Sequence, residues 1–171
     1  MECRIFLASL TAHTNGMIDG EWIDLTDNNA MDKIETFMDE REGHEFFIAD
    51  NVASVPMEIS EYDDPFYLVD FVKRLEDLDK TQFEAYETII NETGLDLEEA
   101  LDKVEKWEFD AIEWDHNTSI EECIGYYYAD LNGFLDYDEI IRMYFDYESY
   151  GRDICIEAYV CDNGKTIFVI D

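Results

Sequence analysis

The sequence predicts an α+β fold of three small units in a row: an N-terminal antiparallel sheet plus helix at residues 1–61, a short helical middle at 62–106, and a C-terminal mixed unit at 107–171 ending in a β-hairpin. Three observations carry this expectation. Strand-like segments rich in Ile, Phe, Val and Trp cluster at both ends of the chain. Apolar residues recur at helical spacing between residues 63 and 106. A content of 47% hydrophobic and 15% aromatic residues can bury enough area to order a chain whose acidity would otherwise favour disorder.

In the first unit, strands are expected at residues 4–10, 21–25 and 45–50, with Gly16 and Gly20 bracketing the turn into the second. Met31, Ile34, Phe37 and Met38 form one apolar stripe of an intervening helix, and Asp27 and Asn28 stand where they can cap its orphan amides. Asp64-Pro65 then supplies a cap followed by proline at the first helical position, ahead of Leu68, Phe71, Val72, Leu75 and Leu78. Thr81 and Glu84 have capping-box spacing before Phe83, Tyr86, Ile89 and Ile90, with Gly94 as the stop. Asp96 and Glu99 open a third helix carrying Leu97, Ala100, Leu101 and Val104. Residues 107–114 alternate as a strand, Thr118 and Glu121 repeat the capping-box spacing before a helix to Leu131, and another helix is expected over residues 136–145. Two strands, 154–161 and 165–170, joined through Asp162-Asn163-Gly164, complete a hairpin.

Charge narrows the function. Forty-four acidic and eleven basic side chains give a formal net charge of −33. That sign excludes nucleic acid and anionic membranes as ordinary partners, because both are bound through Lys and Arg. The chain begins with an apolar run too short for a signal peptide and contains no stretch long enough to span a bilayer, so a cytoplasmic protein is expected. Cys3, Cys123, Cys155 and Cys161 form no CxxC pair and read as reduced thiols, mostly buried. His13, His44 and His116 stand apart, and no nucleophile elbow, P-loop, dinucleotide fingerprint or EF-hand spacing is present. Neither an enzyme nor a metal or cofactor is indicated.

The distribution of charge is more informative than its total. Basic residues are missing between Arg4 and Lys33, Arg41 and Lys73, and Lys106 and Arg142, while acids continue through all three gaps. Duplex DNA carries one charge per ~1.7 Å of axis, so this excess equals roughly 56 Å of duplex. Imitating DNA with it requires an elongated chain, since a ball would destroy the linear array. Mutual repulsion should also raise many carboxylate pKa values.

The candidate partner-binding groups are accordingly spread along the chain. In the first unit they are Asp19, Glu21, Asp24, Glu35, Asp39, Glu42, Glu58 and Glu61. The middle contributes Asp63, Asp70, Asp77, Glu84, Glu87, Glu98, Asp102 and Glu105, of which the last three form a helical stripe diluted by Lys103 and Lys106. Glu113, Asp115, Glu121 and Glu122 extend the set into the last unit. Trp107, Phe109, Ile112 and Trp114 read either as plain core or as an apolar patch through which two chains meet.

Two segments resemble a known family. The stretch from Ile5 to Leu10, followed by Gly16, Ile18, Gly20 and Trp22, is similar to the opening of the ArdA antirestriction proteins. Asp146-Tyr147-Glu148-Ser149-Tyr150-Gly151-Arg152-Asp153-Ile154 resembles the family's D-Y-E-A-Y-G-R-D-L segment, with Ser149 for alanine. Ile48-Ala49-Asp50 and Tyr126-Tyr127-Tyr128 sit between them in the expected order, whereas Thr14 and Ala158 depart from the usual asparagine and glycine. The resemblance implies an elongated homodimer, joined through its C-terminal part, that mimics bent B-form DNA. It implies occupation of the DNA-binding groove of type I restriction-modification enzymes, chiefly their methyltransferase core, in protection of mobile DNA. Gly16, Gly20, Trp22, Tyr147, Tyr150, Gly151, Arg152 and Asp153 are then structural, with Arg152 pairing a carboxylate. The alternative is a generic acidic binding module or a chaperone for a basic protein.

Overall fold

The computed structural model describes residues 1–170, apart from the side chain of residue 141. The chain divides into two compact units, Met1–Leu78 and Asp79–Asp171. Each holds one three-stranded antiparallel sheet with helices, an α+β architecture. The helices expected over residues 62–106 are shared out: the first belongs to unit one and the other two to unit two.

Unit one runs β1 (Cys3–Ser9), α1 (Leu10–Thr14), β2 (Gly20–Asp24), α2 (Ala30–Asp39), β3 (Phe46–Ala53) and α3 (Pro65–Asp77). Its sheet order is β2-β1-β3. Strand alternation sends Cys3, Ile5 and Leu7 to one face, where with Ile23 and Ile48 they meet Ala30, Ile34 and Phe37 of α2 and Leu68, Val69 and Val72 of α3. Each large side chain buried there contributes roughly 1.5–3 kcal/mol. β1 stops at Ser9, one residue before the expected end, because the Ser9 hydroxyl accepts the Ala12 amide at 3.0 Å and starts α1. The cap expected for α2 at Asp27 and Asn28 is not made: Asn29 occupies the cap position without a side-chain bond, and the Asp27 carboxylate pairs with Lys33. Asp64 and Pro65 open α3 as the sequence indicates, with Asp64 Oδ1 accepting the Phe66 amide at 2.9 Å.

Unit two runs α4 (Lys80–Thr93), α5 (Leu97–Glu105), β4 (Phe109–Glu113), α6 (Ile120–Leu131), a single 3-10 turn (Phe134–Asp136), α7 (Glu139–Tyr144), α8 (Tyr147–Glu157), β5 (Tyr159–Asp162) and β6 (Thr166–Ile170). The sheet order is β4-β6-β5. Ile112, Ile167 and Val169 share one sheet face with Ile124 of α6, and half-buried Ile154 and Cys155 of α8 pack on this cluster. α4 lies against β5 and α5.

Four further expectations need correction. The capping box of α4 is Asp79 with Gln82 rather than Thr81 with Glu84; Gln82 also reaches across from its Nε2 to the Val104 carbonyl at 2.8 Å, tying α4 to α5. α6 is capped by Ser119 rather than Thr118, and the Thr118 carbonyl instead accepts the Trp114 indole at 3.3 Å. Residues 136–145 do not form one helix, and residues 154–157 are the end of α8 rather than the start of a strand. The cause of the last is a close helix pair. A Cβ on Gly125 would lie 1.9 Å from the Tyr147 carbonyl oxygen, and one on Gly151 would lie 1.7 Å from that of Glu121. The two glycines therefore let α6 and α8 cross with backbones in contact, and this packing outweighs the strand preference of Ile154 and Ile156. The final hairpin forms: Gly164 takes φ 79°, and Asn163 Oδ1 accepts the Thr166 amide at 2.9 Å.

Candidate functional site

A site built on charge must keep its carboxylates in water, and folding does so throughout. No acidic residue among the described residues is buried. In unit one, Glu35 and Asp39 stand exposed on α2, followed by Glu42, while Asp70 and Asp77 lie exposed on α3. Glu21 is exposed on β2, and Glu58 and Glu61 on the segment leading to α3. Asp24 and Asp63 are half-buried turn formers: Asp24 Oδ1 accepts the Thr26 amide at 3.0 Å and Asp63 Oδ2 the Ser60 amide at 2.7 Å. Asp19 is clamped by Arg41, with Nε on Oδ2 and Nη2 on Oδ1, both at 2.8 Å.

In unit two, Glu105, Glu113 and Asp115 are exposed, whereas Glu84, Glu87, Glu98, Asp102, Glu121 and Glu122 are half-buried. Lys80 lies 3.4 Å from Glu84 and Lys106 lies 3.3 Å from Asp102, so these two carboxylates are partly neutralised. Asp32, outside the set expected from the sequence, is likewise exposed on α2 one turn ahead of Glu35. Its signal was available: residues 32, 35 and 39 share a helical face, rising about 4.5 and 6 Å at 1.5 Å per residue.

The rise in carboxylate pKa expected from repulsion is opposed at three sites. Asp19 is held below the usual range by its bond from Arg41. Asp115 is lowered by the Asn117 amide and side chain, and Asp146 by the Ser149 amide and hydroxyl. In each case hydrogen bonds to the charged form decide the sign.

The aromatic segment around β4 separates by exposure. Phe109 is 8% exposed and Ile112 4%. Trp114 is half-buried against His116, with ring centroids 4.5 Å apart. Trp107 is 53% exposed, carries φ 57°, and stacks on Phe109 at 5.4 Å and 12°.

The residues of the two resembling segments hold local geometry. Gly16 has φ 78°, and a Cβ on Gly20 would meet the Phe6 ring at 2.6 Å. Trp22 covers Phe6 at 5.5 Å, with the Arg4 guanidinium 5.7 Å above it. Tyr147 packs on Tyr126 at 5.2 Å, and Tyr150 on Phe145 at 5.6 Å. Arg152 pairs with Glu148 at 3.0 Å, and Asp153 is exposed. Among the described residues there is no group of three or more His, Cys, Asp or Glu placed to hold a metal, and no helix long and apolar enough to cross a membrane.

The family model described as Antirestriction protein (ArdA) matches residues 5–166. The chain belongs to the ArdA antirestriction family. Comparison with curated proteins finds no match. An ArdA protein is antirestriction by function, so its partners are restriction-modification enzymes. The match begins inside β1 and ends inside β6, so the ArdA sequence pattern takes in both units and the α6–α8 crossing.

Proposed function

We propose that this ArdA protein inhibits type I restriction-modification enzymes by presenting its carboxylates as a substitute for the phosphates of B-form DNA and occupying the DNA-binding groove, chiefly at the methyltransferase core. It acts by binding and not by catalysis, and so protects incoming mobile DNA. The observation that carries this reading is the exclusion of acidic side chains from both cores, among the described residues, in a chain of net charge −33. A surface of that kind meets a groove evolved to bind phosphate with complementary sign, and its field raises the rate of encounter.

The working form is a homodimer joined through unit two. Trp107, Met143 and Tyr144 are 53%, 75% and 83% exposed, apolar area of the kind a second copy covers. Phe109 and Ile112, by contrast, already serve the interior of the unit. Sedimentation of Met143→Glu/Tyr144→Ser should show a shift toward monomer relative to the wild type.

The test of inhibition is competition between the protein and cognate duplex for a purified type I methyltransferase at several salt concentrations. Displacement of DNA at near-stoichiometric protein, weakening as salt rises, is expected. Equal binding to an unrelated basic protein, or unchanged DNA occupancy, overturns the reading and favours a generic acidic module.

A further inference from the structure

Unit two contains a cleft of about 630 Å³ between the end of β4 and the outer face of α6, with mostly apolar walls. Its volume falls in the range of small-molecule sites. Ile112, Cys123, Tyr126, Tyr127 and Tyr147 supply the apolar surface. Glu113, Asp115, Glu122 and Asp130 stand around it, and no Lys, Arg or His lines it.

The walls are fixed in place. The Tyr127 hydroxyl donates to Asp110 Oδ1 at 3.0 Å, Tyr126 packs on Tyr147 at 5.2 Å, and the Cys123 thiol is directed to the Glu113 carbonyl at 3.5 Å. Asp115 accepts both of its Asn117 bonds on Oδ1 and is held below the usual carboxylate range.

Spacing selects the ligand. Glu122, Tyr126 and Asp130 follow at i, i+4 and i+8 on one face of α6, so carboxylate, aromatic ring and carboxylate succeed one another over about 12 Å. A compact divalent ion needs its oxygens gathered at one point, and among the described residues no such group exists. A cation with charges at its ends and hydrocarbon between them matches the order of the walls.

We propose that this cleft binds a linear aliphatic polyamine, with its ammonium groups at Glu122 and Asp130 and its methylenes over Tyr126 and Tyr147. The aromatic faces add attraction for the ammonium groups where water is partly excluded. Glu113, Asp115 and Glu122 also belong to the candidate DNA-mimic set, but polyamine binding here does not depend on that reading.

Spermidine is the probe, followed by NMR of the full-length protein in about 0.3 M NaCl, where diffuse attraction to the acidic surface is largely screened. Saturable one-to-one binding is expected, with shifts concentrated at Tyr126, Tyr127, Tyr147 and Asp130. Tyr126→Ala and Asp130→Asn should each weaken it by about three- to tenfold, while Glu35→Gln, exposed in unit one, should leave it unchanged. Magnesium at equal ionic strength should not reproduce the tyrosine shifts. Spermidine shifts spread evenly over the acidic surface, the same pattern with magnesium, or wild-type affinity in both cleft variants overturns the proposal.

Discussion

Asp19 and Arg41 form an ion pair within a surface that otherwise leaves many carboxylates open to solvent. Arg41 is further held over the Phe37 ring at 3.9 Å and donates to the Phe37 carbonyl, so the pair joins the loop before β2 to the end of α2. Because the folded-state pKa of Asp19 lies below its unfolded value, the pair's stabilisation is present above the unfolded carboxylate pKa and is lost as pH falls through the folded one. Thermal melts of Asp19→Asn should therefore differ from wild type at pH 7 and converge with it in acid. The thiols give a second residue-level expectation. Burial pushes Cys3 up to about 11 and Cys161 up to about 12, so at pH 8 both remain protonated. A colorimetric thiol reagent should modify half-buried Cys123 well before either in the native protein, and all four only after denaturation.

At the element scale, the α6–α8 crossing sets the tightest constraint in unit two. Gly125→Ala or Gly151→Ala places a methyl group against backbone that no rotamer change relieves. Each should cost about 3 kcal/mol or more and lower Tm by roughly 6–12 °C, read by calorimetry. By comparison Gly43→Ala meets open space and bears only the strain of φ 80°. Elements with a strong local signal were legible: Asp64-Pro65 for α3, Gly94 at φ 70° closing α4, and Asn163-Gly164 for the hairpin. Caps at Asp79 and Ser119 were displaced by one or two residues because several oxygen-bearing side chains compete for the same orphan amides, and packing chooses among them. α8 was hidden for a different reason. Its last turn, with Ile154 and Ile156 ahead of Tyr159 and Val160, reads locally as strand, and contact of the helix with α6 overrides that preference.

For the molecule as a whole, the proposed spread of binding over many carboxylates predicts mild single variants and severe combinations. Each exposed charge is worth about 0.5–1 kcal/mol, so Glu35→Gln, Asp39→Asn or Asp70→Asn alone should reduce inhibition of a type I enzyme by about two- to fivefold. The triple variant should lose about ten- to a hundredfold if separated contributions add, as measured by DNA-competition titration. Composition and the gaps between basic residues made the excess of acids legible in the sequence, but not which of them have a cation within reach. Glu84 and Asp102 were named alongside Glu35, yet their neighbours Lys80 and Lys106 reach them.

From the sequence alone came the α+β class, the family, the excess of negative charge and the elements announced by proline, glycine or a clear apolar stripe, because these depend on residue identity and short-range spacing. Tertiary structure alone decided that Phe109 and Ile112 lie inside, that Asp19 is bound to Arg41, and that two helices touch at Gly125 and Gly151. Those facts arise from contacts between residues distant in the chain, whose energies outweigh local preference and leave no mark on local pattern.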